Sequence, residues 1–350
     1  MKLLRYGPRG QEKPGLLDEN GDARFAFSTG GAGKPMFYGG TLTAFLGAWG
    51  PIDFSLGAGG TVKCSHSEHM FHELWHRGFT VLADNKLSNL VLAFGVNVDA
   101  SGGVTGVYRN ANARNRGSKR YQFEPHLSVT GANATEWVPI KPQTDNAVLF
   151  SMIHVLLHER PLDDLDVNFL KHKTASPYLI APNGYYLRDP ETSKPLIWDN
   201  KTNSAVVFDT EGVDPALEGE FTVEGSVEIG ADDERWEYEN IIASPSFQAL
   251  KLHMEARTPE WAESISDVPA AKIRELANAF VDEACIGQTC LVEGRELPLR
   301  PVAIVLGKTT NNGWGGYECV WARAVMQILV GALEVPGGLL GSTSLIVGPN

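Results

Sequence analysis

Hydrophobic positions along the chain fall into short, wholly apolar runs closed by glycine, with stretches of helical spacing between them. Leu90-Val91-Leu92-Ala93-Phe94, ended by Gly95, has the pattern of a strand buried on both faces in a parallel sheet. Ser101-Gly102-Gly103 follows, then Val104 to Arg116 places small and polar residues at helical spacing, and Gly117 supplies a C-terminal stop. Arg120 to Phe123 is strand-like again, so strand, helix and strand fit into about 35 residues, the size of a right-handed crossover unit. Pro301 to Leu306 is another buried-strand pattern, running into a polar loop, Gly307 to Gly313, and a helix expected over Tyr317 to Leu333. Between Lys171 and Asn240 the text is rich in Gly, Pro, Asp and Asn, with apolar pieces such as Leu196-Ile197-Trp198 and Val206-Val207-Phe208. Hairpins with a small aromatic-filled core are expected there.

Two of these runs end in turns with chemical content, and a third turn, Lys141 to Asp145, opens an apolar helix. In parallel sheets ligands bind just outside the strand carboxyl ends. Gly95 would let the backbone approach a phosphate, Glu124 would accept hydrogen bonds from ribose hydroxyls, and Asp145, opening an apolar helix, would pair with the N1 and N2 donors of a guanine ring. Taken one at a time, such residues are also ordinary turn punctuation.

In their order and spacing the turns resemble the molybdopterin oxidoreductases, the family whose best-known members reduce dimethyl sulfoxide, nitrate or polysulfide. The carrying residues are Gly95-Val96-Asn97, Glu124-Pro125 with Ser128, and Pro142-Gln143-Thr144-Asp145. Glu136-Trp137-Val138-Pro139-Ile140, Thr258-Pro259-Glu260-Trp261-Ala262-Glu263, Val268-Pro269-Ala270 and Val335-Pro336-Gly337-Gly338 also look like family text, and the resemblance covers nearly everything from Phe25 onward. Glu124 stands where the family usually has Asp, and Gln143 where it has Gly, a position that calls for a left-handed turn. The resemblance implies that Gly95, Asn97, Glu124, Ser128, Gln143 and Asp145 hold the guanosine half of a bis-molybdopterin guanine dinucleotide. Gly307, Thr309 and Asn312 would lie beside the pterins, where backbone amides at a helix start suit a phosphate or pterin edge. Cys64 would bind molybdenum or tungsten from the protein side, a reasonable soft ligand, although a small buried thiol is the alternative for it. Two-electron redox chemistry or oxygen-atom transfer is implied, and the implied partners are a small-molecule substrate and an electron-transfer subunit. No residue is assigned a catalytic role.

The expected architecture is therefore α/β: a doubly wound, mostly parallel nucleotide-binding lobe inserted into a second α/β lobe. Residues 64–286 would form the Rossmann-like dinucleotide-binding lobe with hairpin insertions, and 25–63 with 287–350 the discontinuous lobe near the pterin. Residues 1–24 read as a fused or misassembled leader segment that resembles the opening of fumarylacetoacetate hydrolase-family proteins.

Composition narrows the alternatives. With 350 residues, 43% of them hydrophobic, the chain buries a large core and has room for two or more lobes. No run of 18 apolar residues is present, so no membrane span is expected. A net charge of -12 argues against a nucleic-acid partner. The start, Met1 to Pro8, has neither a long apolar segment nor a twin-arginine pair, giving a cytoplasmic expectation. Four cysteines, none in a C-x-x-C relation, fit neither a disulfide scaffold nor an iron-sulfur motif, and the text reads as the middle of a larger protein. Gly30-Gly31-Ala32-Gly33-Lys34 is not a Walker loop, since Ser28 takes the first glycine position and Pro35 follows the lysine.

Two rival functions stay open at this level. His72-Glu73-Leu74-Trp75-His76 satisfies H-E-x-x-H, the zinc-hydrolase pattern in which two histidines one turn apart bind metal and the glutamate activates water. A third ligand at recognisable spacing is missing. The other rival is an inactive nucleotide-binding fragment, which would take up guanine nucleotide or nothing, but no metal.

Overall fold

The computed structural model describes residues 2–6, 13–17, 23–24, 81–231, 234–307, 310 and 315–341. Cys64, His72, Glu73, His76, Thr309 and Asn312 lie outside the described residues. The organising element is a four-stranded parallel sheet. Its first two strands, β1 (Leu90–Phe94) and β2 (Lys119–Glu124), flank helix α1 (Gly103–Asn115), as the apolar runs predict. Gly117, at φ +94°, stops that helix: its amide donates to Arg114 and the Ser118 amide to Ala113, the paired bonds that close a helix through a left-handed residue.

A short helix, α2 (Val129–Ala132), leads to β3 (Glu136–Pro139), and α3 (Asp145–His154) then continues as a π-helix over Val155–Glu159. The chain returns through β4 (Val302–Leu306) and α4 (Gly316–Leu329). Across the sheet the order is β4-β1-β2-β3, with Val302 opposite Leu90 and Leu306 opposite Phe94. Val302–Leu306, expected in the second lobe, thus shares one layer with Leu90–Phe94.

Alternation along β1 separates the two faces. Leu90, Leu92 and Phe94 are fully buried on the main core with Ile304, Val148, Met152, Phe280 and Met326, which brings α3, α4 and the helix Ala270–Asp282 to that face. Phe94 stacks on its register partner Phe123, ring centroids 4.2 Å apart. Val91 faces α1, lining a small cavity with Asn110 and Ala113. With helices on both faces and the chain order 3-2-1-4 across the sheet, the direction of winding reverses between β1 and β4. Such a reversal opens a crevice at the strand carboxyl ends.

The expected hairpins form a separate sheet. Phe221–Ala231 pairs antiparallel with Glu234–Pro245, and a second core collects Leu187, Trp198, Val223 and Ala243, with Trp198 stacked on Phe221 at 4.4 Å. Lys2–Tyr6, Lys13–Leu17 and Ala23–Arg24 make a three-stranded sheet of their own.

Candidate functional site

Gly95 and Gly307 end the two strands that flank the reversal. The Gly95 amide donates to Phe123 O at 2.9 Å, and the Gly307 amide donates to Phe94 O at 2.8 Å. A Cβ on Gly307 would lie 1.9 Å from the Gly95 carbonyl oxygen, so only glycine allows the two backbones to meet there. Thr310 adds a hydroxyl bond to the same Phe94 carbonyl.

Asn97 caps the short helix Val98–Ser101 from the next turn. Its Oδ1 accepts from the Thr130 hydroxyl at 2.9 Å, and that hydroxyl in turn accepts from the Asp99 amide at 2.9 Å. Thr130 is fully buried in α2, so it fixes the Asn97 amide plane and leaves the Nδ2 donors turned away from it. Nothing in the sequence marks Thr130 as part of the site.

Glu124 sits at the end of β2 with its side chain folded inward. Oε1 accepts from the Ser128 amide at 2.7 Å, and Oε2 from Gln122 Nε2 at 3.1 Å. Gln122, fully buried, also donates to Val96 O and accepts from Arg120 Nε, which fixes its amide orientation. Desolvation lowers Arg120 to about 10, against the raising influence of Asp99 and Glu124. Ser128 caps α2 by accepting from the Gly131 amide. Gln122 carries no signal in the sequence, because a lone polar residue in a strand reads as a solvent-facing position.

Gln143 adopts φ +63°, so the left-handed turn of Pro142-Gln143-Thr144-Asp145 is kept without glycine. The turn delivers Asp145 to the first turn of α3, where burial pushes its carboxyl up to about 6, opposed only by its own amide. Among the described residues no other side chain or amide hydrogen-bonds to it. The start of α4 lies alongside: a Cβ on Gly315 would come 2.7 Å from Asn146 Nδ2, and the negative charge of Asp145 helps burial raise the Cys319 thiol. Glu124 and Asn97 are thus joined through α2, Gly95 and Gly307 by direct packing, and Asp145 to the helix that follows the Gly307 loop.

No family model matches the chain. It is 28% identical to a sulfite dehydrogenase subunit of Allochromatium vinosum over 254 residues, 64% of this chain and 24% of that protein. The perchlorate reductase alpha subunit of Dechloromonas aromatica is 27% identical over 65% of this chain and 28% of its own length. The molybdopterin-containing subunit of a Salmonella typhimurium thiosulfate reductase is 34% identical over 73 residues, 21% of this chain and 10% of its own. The chain is thus similar to subunits of oxidoreductases, one of them named as molybdopterin-containing. It spans about a quarter of the length of the first two. A solved acetylene hydratase from Pelobacter acetylenicus aligns with 80% of this chain and 26% of its own, at TM-score 0.47 and 16% identity. Over 24 residues, 7% of its length and 8% of the other protein, this chain is 79% identical to a hydrolase-named protein of Burkholderia ambifaria.

Proposed function

We propose that the carboxyl edge of the parallel sheet holds the guanosine diphosphate half of a molybdopterin guanine dinucleotide, within the catalytic subunit of a molybdenum- or tungsten-dependent oxidoreductase. The carrying observation is Asp145, a partly buried carboxyl at a helix start that, among the described residues, accepts a hydrogen bond from its own amide alone. A guanine edge offers two adjacent N–H donors that match a carboxylate and would offset its desolvation. The rest of the crevice fits the same ligand. Gly95 and Gly307 leave backbone free of side chains at the winding reversal, and Asn97 presents amide donors suited to a phosphate oxygen.

When bound, the cofactor supplies two-electron redox or oxygen-atom transfer chemistry at its metal. The residues of this chain bind and orient it: Asp145 selects the base, Asn97 holds the diphosphate, and Gln143 sets the turn that aims Asp145. The relatives are named as single subunits of larger enzymes, which supports a partner that is an electron-transfer subunit, with a small molecule as substrate.

Metal analysis of the purified chain, paired with fluorescence of pterin released by acid, tests the reading against a bare nucleotide module. Molybdenum or tungsten together with released pterin, in small amount from the chain alone, is the expected result. Guanine nucleotide alone, with neither metal nor pterin, would favour the module.

A further inference from the structure

We infer that Glu124 does not read the ribose of the bound nucleotide, so that the crevice accepts guanine nucleotides with or without their sugar hydroxyls. This rests on the guanosine diphosphate reading and adds a statement about its specificity. Glu124 is only 4% exposed, and both carboxylate oxygens are already engaged, Oε1 by the Ser128 amide and Oε2 by Gln122 Nε2. The pocket around the carboxylate is shaped for it. A Cβ on Gly131 would lie 2.4 Å from Oε1, and Arg120 fixes the Gln122 amide so that its donors face Val96 and Glu124. An aspartate here would be shorter by about 1.5 Å, one carbon–carbon bond, and would not keep both partners.

Glu124 is therefore a positioning residue. It holds Ser128, Ser128 caps α2, and Thr130 within α2 orients Asn97. Loss of the carboxylate should loosen the arm that carries Asn97 and weaken every nucleotide that uses it, whatever its sugar. A carboxylate that instead gripped both ribose hydroxyls would separate nucleotides with and without them by at least about tenfold.

The test is titration calorimetry of the full chain with guanosine diphosphate and with its 2′,3′-dideoxy analogue. The two should bind within about threefold of each other, and E124Q should weaken both by one common factor. Guanosine diphosphate binding tenfold or more tightly than the analogue overturns the inference while leaving the nucleotide reading intact. So does an E124Q variant that weakens guanosine diphosphate alone. The wild-type comparison decides even where E124Q does not fold. Binding of neither nucleotide to the wild-type chain would overturn the nucleotide reading and this inference with it.

Discussion

A Cβ on Gly307 would stand 1.9 Å from the carbonyl oxygen of Gly95, so the ends of two strands far apart in sequence share a contact that admits no side chain. That contact lies where the winding of the sheet reverses, and it sets the floor of the proposed nucleotide crevice.

We predict that G307A destabilises the protein by about 3 kcal/mol, because backbone must move to admit a methyl group. G117A is the matching control. Gly117, unlike Gly307, has a positive φ, +94°, and nothing lies within 4 Å of its missing Cβ. Only conformational strain is at stake there, about 1 kcal/mol. Equal losses for the two variants in urea denaturation would argue against the close approach.

Asp145 gives a pH signature. Its folded carboxyl titrates near 6, above the ordinary 3.8, because burial disfavours the charge. The folded state therefore holds this proton more tightly than the unfolded one. The associated stability is fully present below pH 3.8 and is lost as pH rises through 6. We predict that D145N matches wild type near pH 4 and is more stable by about 3 kcal/mol near pH 7.5, in the absence of ligand. A stability difference independent of pH would contradict the buried carboxyl.

Part of this was legible in the sequence for a local reason. Leu90–Phe94, Lys119–Glu124 and the helix between them follow from an unbroken apolar run, helical spacing and a terminating Gly117, all within one crossover unit. The neighbour of Leu90–Phe94 was not legible, because parallel pairing with Val302–Leu306 joins runs that look alike and stand far apart. Gln122 and Thr130 were hidden for a different reason: their importance lies in buried hydrogen bonds to Val96, Glu124, Asp99 and Asn97, which leave no periodic trace. Gln143 shows that the turn's geometry outlasted its usual residue.

That turn carries strain. With φ at +63°, Gln143 occupies a region that costs a side-chain-bearing residue roughly 1–2 kcal/mol, partly offset in Q143G by the greater freedom of unfolded glycine. We predict that Q143G raises stability by about 0.5 kcal/mol, whereas Q143A does not. A destabilised Q143G would mean that the glutamine side chain supports the turn in its own right.

Behind β4, Arg300 and Asp166 form a buried ion pair at 2.7 Å, and Asp166 also caps the helix Val167–Lys173 through the Phe169 amide. Arg300 is 5% exposed, so removing its partner strands a buried cation. D166A should cost about 3–5 kcal/mol, and adding R300M should recover part of it. Additive losses in the double variant would show that the pair is not coupled.

The most direct test of the central claim is the affinity of the purified chain for guanosine diphosphate and for adenosine diphosphate, in wild type and in D145N. A wild-type preference for guanosine of about tenfold or more is predicted, since adenine lacks the paired N1–H and N2–H donors, and D145N should abolish it. Equal affinity for the two nucleotides in the wild-type chain, or a preference that survives D145N, would contradict the account.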